Sequence, residues 1–241
     1  MSVEWRGAVR VALATAAWAA AHSVLAGRPA KDAAERSLGA RARNGLYRAG
    51  YNAVALVTFG LLVRYVRRQP GRTLYHARGP AAVLMRLGQG ASLLYCTAGV
   101  LQVGVGGMSG LANLLAWLTG RPHVPPEPEG QTPPPPPRRV AGGSTAAAPL
   151  PGSPFALTRQ ALNFFLLPLL WLNPRMTSRL AAFNAVATPY LYLGSLHSER
   201  RLRRAYGPAY DASYRDRGVP FFLPRLAPAS VPVLPPTPLP K

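Results

Sequence analysis

Charge is absent from long stretches of this chain, residues 11–27, 49–63, 87–119, 160–174 and 180–198, and is crowded into the gaps between them. A helix needs about 20 mostly apolar residues to cross the hydrocarbon of a bilayer, with about 17 as the lower limit. A pattern of this kind cannot coat one compact soluble surface evenly, so the chain reads as an integral membrane protein. Long apolar runs in a chain that is 49% hydrophobic exclude a disordered polymer. A lone cysteine, Cys96, excludes an internal disulfide framework and leaves no cysteine cluster for zinc or iron–sulfur ligation, and no metal site is expected. The 28 Lys+Arg against 8 Asp+Glu give a formal charge of +20, which would also suit phosphate neutralisation on a nucleic acid. The basic residues alternate with apolar runs, however, and build no aromatic-basic surface of the single-strand type. Membrane lipid, not nucleic acid, is the expected partner.

The runs predict an all-α, multi-pass transmembrane helical bundle with about five spans, a C-terminal helical hairpin and an amphipathic cytoplasmic segment. Residues 11–27 form the first span, with Trp18 and His22 inside it; Val24 and Ala26 also satisfy a small-residue cleavage rule, but the later spans hold the chain in the membrane in either case. The second run is flanked by Arg48 and Arg64, which can snorkel to the headgroups. The third is too long for one helix, and Gly104, Gly106 and Gly107 mark its break, leaving a span near residues 82–104 and a short apolar helix over 109–118 at the interface. Residues 1–120 therefore form the N-terminal membrane helices. Residues 121–154 contain consecutive prolines and an Ala/Gly/Ser stretch and read as a disordered linker. Residues 155–224 carry the hairpin and the cytoplasmic segment, and 225–241 are a proline-rich disordered tail. In the basic segment Leu202, Tyr206, Tyr210 and Tyr214 recur every fourth residue, along one helical face that rests on the membrane surface or covers something.

A hairpin of two antiparallel spans places Arg159, at the mouth of one, and Glu199, at the end of the next, on the same membrane face. Arg159 can clamp a carboxylate in bidentate fashion, and Glu199 can accept from an amine or from ribose hydroxyls. Together they suit a zwitterion. A plainer reading has Arg159 anchoring a helix end and Glu199 pairing with Arg203 four residues on. His22 either faces a substrate path or is a neutral, hydrogen-bonded imidazole. Cys96 reads as a small packing residue.

Four segments, SPFALTRQALN (153–163), WLNPRMT (171–177), YLYLGSLHSERRLRRAYGPAYDASY (190–214) and VPFFLP (219–224), resemble the C-terminal half of the integral-membrane methyltransferases. AHSVLA (21–26) and LYRAGYNAVA (46–55) are similar to the first half of the NnrU-like and methanethiol S-methyltransferase branch of that isoprenylcysteine carboxyl methyltransferase-like superfamily. The resemblance implies S-adenosylmethionine held at the cytoplasmic membrane face by an R-H-P motif and an E-E pair, and so by Arg159, Gln160 and Glu199 here. Gln160 replaces the histidine of that motif, Ala161 its proline, and Ser198 the first glutamate; Phe165 stands where many members have glycine. A glutamine can donate a hydrogen bond but cannot act as an imidazole acid or base.

The implied function is transfer of a methyl group from S-adenosylmethionine to a small thiol or lipophilic acceptor in a bacterial inner membrane. The altered motif keeps a second reading open, a non-catalytic NnrU-like protein that assembles with others or binds a ligand. Five spans with the C-terminus in the cytoplasm place about twice as many Lys and Arg inside as outside, although the cluster from Arg64 to Arg78 falls on the outer side. A C-terminal reporter should accordingly be cytoplasmic, and a C-terminal cysteine should resist an impermeant thiol reagent in intact cells; its labelling would reverse the orientation.

Overall fold

The computed structural model describes residues 2–126, 131–133 and 153–225. The protein is mostly helical. Helix α1 (Val3–Ala26) is followed by α2 (Arg28–Leu38) and the long α3 (Ala40–Arg68). A short strand β1 (Thr73–His76) leads into α4 (Gly79–Val103), and then α5 (Val105–Ser109) and α6 (Leu111–Leu118). Beyond the linker come α7 (Pro154–Leu157), α8 (Ala161–Trp171), strand β2 (Arg175–Thr177), α9 (Ser178–Tyr206) and α10 (Pro208–Tyr210). One π-turn, Asp211–Arg215, closes the order. The principal packed pairs are α1 with α9 and α4 with α8.

Two helices among the described residues, α1 and α3, are long and apolar enough to cross a membrane. That is fewer than the five spans expected from the uncharged runs, for visible reasons. Helix α4 has the length, but Arg86 and Gln89 lie inside it. Helix α9 is uncharged over residues 180–198, but Asn184, Thr188, Pro189 and His197 dilute its apolar character there. Helix α8 has 11 residues, a rise of about 16 Å, half the hydrocarbon thickness. Apolar side chains nevertheless cover the outer faces of α3 and α4: Leu56, Val57, Leu84 and Leu94 are all more than 60% exposed. A continuous apolar exterior of this kind marks a surface made for something other than water.

The breaks between helices are held by polar side chains from neighbouring elements. Pro174 has no N–H to return to the Leu170 carbonyl, and Asn184 of α9 donates to it instead at 2.8 Å. The adjacent carbonyls of Leu169 and Trp171 accept from Gln89 of α4 at 3.0 Å and from Tyr75 of β1 at 3.3 Å. On α3, a polar stripe at helical spacing holds the α5–α6 segment. Asn52 donates to the carbonyls of Met108 and Ser109, and Arg48 also donates to Met108. Asn44 reaches the Val124 carbonyl, and Arg41 the carbonyls of Trp117 and Arg121. Gly104 and Gly110, with φ of 100° and 80°, make the two turns that separate α4, α5 and α6.

The all-α expectation misses one small sheet, in which β1 pairs antiparallel with β2, His76 opposite Arg175 and Thr73 opposite Thr177. The linker expected over 121–154 also differs at its ends. Residues 121–126 are tied to α3 and α6, Asn113 donating to the Pro125 carbonyl, and Val124 and Thr132 are buried. The middle of that linker and the tail beyond residue 225 lie outside the described residues. The core lies between α7, α8 and the end of α9, where Phe155, Ala161, Leu162, Phe165, Leu202, Tyr210 and Tyr214 cluster. Cys96 packs against it as a small half-buried side chain.

The close approach of α3 and α6 depends on Gly45, whose missing Cβ would lie 2.4 Å from Trp117 Cβ. Gly45→Ala should therefore cost about 1–3 kcal/mol by overpacking. Thermal unfolding of the detergent-solubilised protein should show a melting temperature several degrees lower, whereas Gly50→Ala, where a Cβ meets open space, should leave it unchanged.

Candidate functional site

Arg159 and Glu199 come together although 40 positions apart. Arg159 sits immediately before α8, and Glu199 lies in the penultimate turns of α9, which runs back alongside. Arg159 Nη2 is 3.1 Å from Glu199 Oε1, and both side chains are 12% exposed. Arg159 Nε donates to Glu199 Oε2 at 3.4 Å. Gln160 Nε2 donates to the same oxygen at 3.5 Å, and the Tyr210 hydroxyl does so at 2.7 Å. One carboxylate thus collects donors from a guanidinium, an amide and a phenol. All three residues singled out for cofactor binding, Arg159, Gln160 and Glu199, share this cluster. The alternative pairing of Glu199 with Arg203 does not form, since Arg203 lies 3.7 Å from Asp211 instead.

A strap of chain closes the cluster from the C-terminal side. Arg159 Nη1 donates to the Val219 carbonyl at 2.6 Å, and its backbone N–H donates to the Pro220 carbonyl at 3.0 Å. Thr158, wholly buried, donates to the carbonyls of Phe221 and Phe222 and accepts from the Gln160 N–H. The Phe221 ring lies under the Arg159 guanidinium at 5.9 Å, and Phe222 packs edge-on against Phe164 and Tyr192. The linker contributes as well: Thr132 donates to the Arg159 carbonyl at 2.9 Å, and Tyr214 donates to the Pro133 carbonyl at 3.1 Å.

The tyrosine stripe resolves into a bend. Gly207, at φ 49°, ends α9 after Tyr206, and the chain turns so that Leu202, Tyr210 and Tyr214 all enter the core. The face expected to rest on lipid or cover something therefore covers the site. Burial pushes the Tyr210 phenol above its ordinary range, and the Glu199 carboxylate that it bonds pushes it further; burial does the same to Tyr214. Both are therefore neutral donors at physiological pH. Ser198 and Ser213, buried beside Glu199 and Tyr214 in sequence, have hydroxyls without a hydrogen-bond partner.

His22 lies apart from this cluster. Its ring stacks on Trp18 with centroids 4.9 Å apart, and its Nε2 is 2.5 Å from the Tyr51 hydroxyl. Among the described residues no group of His, Cys, Asp and Glu could hold a metal ion. Two clefts lie elsewhere, one of about 570 Å³ at the β1–β2 end of the bundle and one of about 210 Å³ beside His197 and Arg204, and neither is lined by Arg159, Gln160 or Glu199. No protein-family model, curated protein or solved structure matches this chain.

Tyr210→Phe tests the cluster directly, because it removes one hydrogen bond to a charged acceptor without changing shape. It should destabilise the protein by about 1.5–3 kcal/mol. Chemical or thermal unfolding in detergent reads this, and an unchanged midpoint would show that the phenol contributes nothing to holding Glu199.

Proposed function

We propose that this is a multi-pass bacterial inner-membrane protein, crossing about five times with its C-terminus in the cytoplasm. We further propose that Arg159, Gln160 and Glu199 bind S-adenosylmethionine for methyl transfer to a small thiol or lipophilic acceptor. The observation that carries this reading is the mutual ion pair of two largely enclosed groups, Arg159 and Glu199. Opening such a pair for a simple anion would leave a carboxylate uncompensated, at a cost of several kcal/mol. A zwitterion replaces both partners at once: its carboxylate takes the place of Glu199 on the guanidinium, and its ammonium takes the place of Arg159 on the carboxylate. Gln160 supplies a further donor beside the pair. This donor set fits S-adenosylmethionine.

Bound there, that cofactor supplies a sulfonium methyl group for in-line displacement. The side chains orient the two reactants and exclude water, which is where the protein's share of the rate arises. Gln160 cannot act as an acid or base, and a thiolate acceptor needs neither.

A second reading, that the protein is a non-catalytic NnrU-like assembly or ligand-binding protein, is favoured by one feature. The Arg159 guanidinium, the Glu199 carboxylate, the Gln160 amide N–H and the Tyr210 phenol are already engaged by one another and by the strap, and the linker holds the Arg159 carbonyl. On that reading the pair is a clasp that holds the C-terminal strap in place.

Calorimetric titration of the solubilised protein with S-adenosylmethionine separates the two. Binding should be measurable, and Arg159→Ala or Glu199→Ala should weaken it about ten- to a hundredfold, the equivalent of about 1.5–3 kcal/mol of charge-assisted contact. Gln160→His should strengthen it. No binding at millimolar cofactor by either wild type or Gln160→His would leave the clasp as the function of these residues.

A further inference from the structure

The opposite end of the bundle carries a cleft whose chemistry the reading above does not use. It has a volume of about 570 Å³ and lies where the end of α3, the β1–β2 sheet and the start of α9 converge. Arg67, Arg175 and Arg179 line it. Its apolar lining includes Val63 and Val66 from α3 and Phe183 from α9.

The three arginines have no carboxylate beside them. Sequence positions 36–126 contain no Asp or Glu, and the same is true of 130–198. Among the described residues the one carboxylate at this end is Glu4, which lies in the field of Arg72 and does not line the cleft. Arg179 is fixed in place, since its Nη1 donates to the carbonyls of Arg67 and Gln69 at 2.9 Å each and so caps the end of α3. The side chains of Arg67 and Arg175 make no hydrogen bond or ion pair among the described residues. Three like charges around one concave space repel one another unless an anion enters. Gly71 shapes the same space, as a Cβ there would lie 3.1 Å from Arg179 Cγ.

We propose that this cleft binds the phosphate of an anionic phospholipid. Guanidinium groups match phosphate oxygens in bidentate geometry, which accounts for the polar rim. Inorganic phosphate would leave most of the volume empty and the Val63, Val66 and Phe183 wall uncovered. A phosphate ester with attached hydrocarbon fills both, and the wall continues onto the exposed apolar face of α3, where Leu61 is 60% exposed. A zwitterionic headgroup fits less well, because no carboxylate lines the cleft to receive its cation. The proposal is independent of what binds at Arg159 and Glu199, which lie at the other end.

The test uses the full chain in an uncharged detergent and reads lipid retained in native mass spectra. The probes are phosphatidylglycerol, phosphatidylcholine with the same acyl chains, and inorganic phosphate. Phosphatidylglycerol should be retained at concentrations at least about tenfold lower than phosphatidylcholine, and millimolar phosphate should not displace it. Arg67→Gln combined with Arg175→Gln should abolish that preference while leaving the melting temperature in lipid-free detergent unchanged. Arg200→Gln combined with Arg204→Gln removes the same net charge at the opposite end and should preserve the preference. Equal retention of the two lipids, full displacement by inorganic phosphate, undiminished preference in the Arg67/Arg175 variant, or equal loss in the Arg200/Arg204 variant would each overturn the proposal.

Discussion

The backbone carbonyls freed wherever a helix stops inside this bundle must find donors within the protein, and the arrangement of the other elements follows from that requirement. An unsatisfied peptide group in hydrocarbon costs several kcal/mol. Helix α8 stops short because Pro174 cannot donate, and the three carbonyls it leaves are met by Gln89, Asn184 and Tyr75 from three different elements. Those bonds fix α4, α9 and β1 around one point. The α5–α6 break is served in the same way by the stripe of Arg41, Asn44, Arg48 and Asn52 on α3. Polar residues inside apolar runs are therefore positional devices here.

Scarcity of carboxylates gives the arginines the same task. With 28 Lys+Arg and 8 Asp+Glu, few guanidinium groups can find a carboxylate. Arg41, Arg48, Arg159, Arg179 and Arg217 all donate to backbone carbonyls. Arg159 differs from the rest, because Glu199 reaches it in a site largely removed from water. The bundle consequently has two chemically distinct ends, one with a compensated ion pair and neutral phenols, the other with a cleft lined by arginines and no carboxylate.

The convergence of Arg159 and Glu199 was legible because an antiparallel hairpin returns the chain to the level at which it started, and the uncharged runs show where each arm begins and ends; Gln160 was singled out through the resemblance alone. The direct bond from Tyr210 to Glu199 was legible only in part. A spacing of four residues suggests a single helical face, but Gly207 breaks the helix and turns the two tyrosines inward. The strap at Val219 and Pro220 and the contacts of Thr132 and Pro133 carry no local signal, since they involve backbone carbonyls that any residue supplies.

Sequence alone determined which segments are apolar helices, where glycine must end them, and that charge gathers at their ends, because these depend on composition and on local backbone freedom. The interruption of the long run at Gly104 follows from such local rules. Tertiary structure decided which side chains cap the ends of each apolar helix. Helix α8 ends ahead of Pro174 for a local reason, but only the fold brings Asn184, Gln89 and Tyr75 from elsewhere to serve the carbonyls it leaves. The β1–β2 sheet and the arginine-lined cleft belong to the same class, since each joins segments about 100 positions apart and a contact at that range leaves no mark on local pattern.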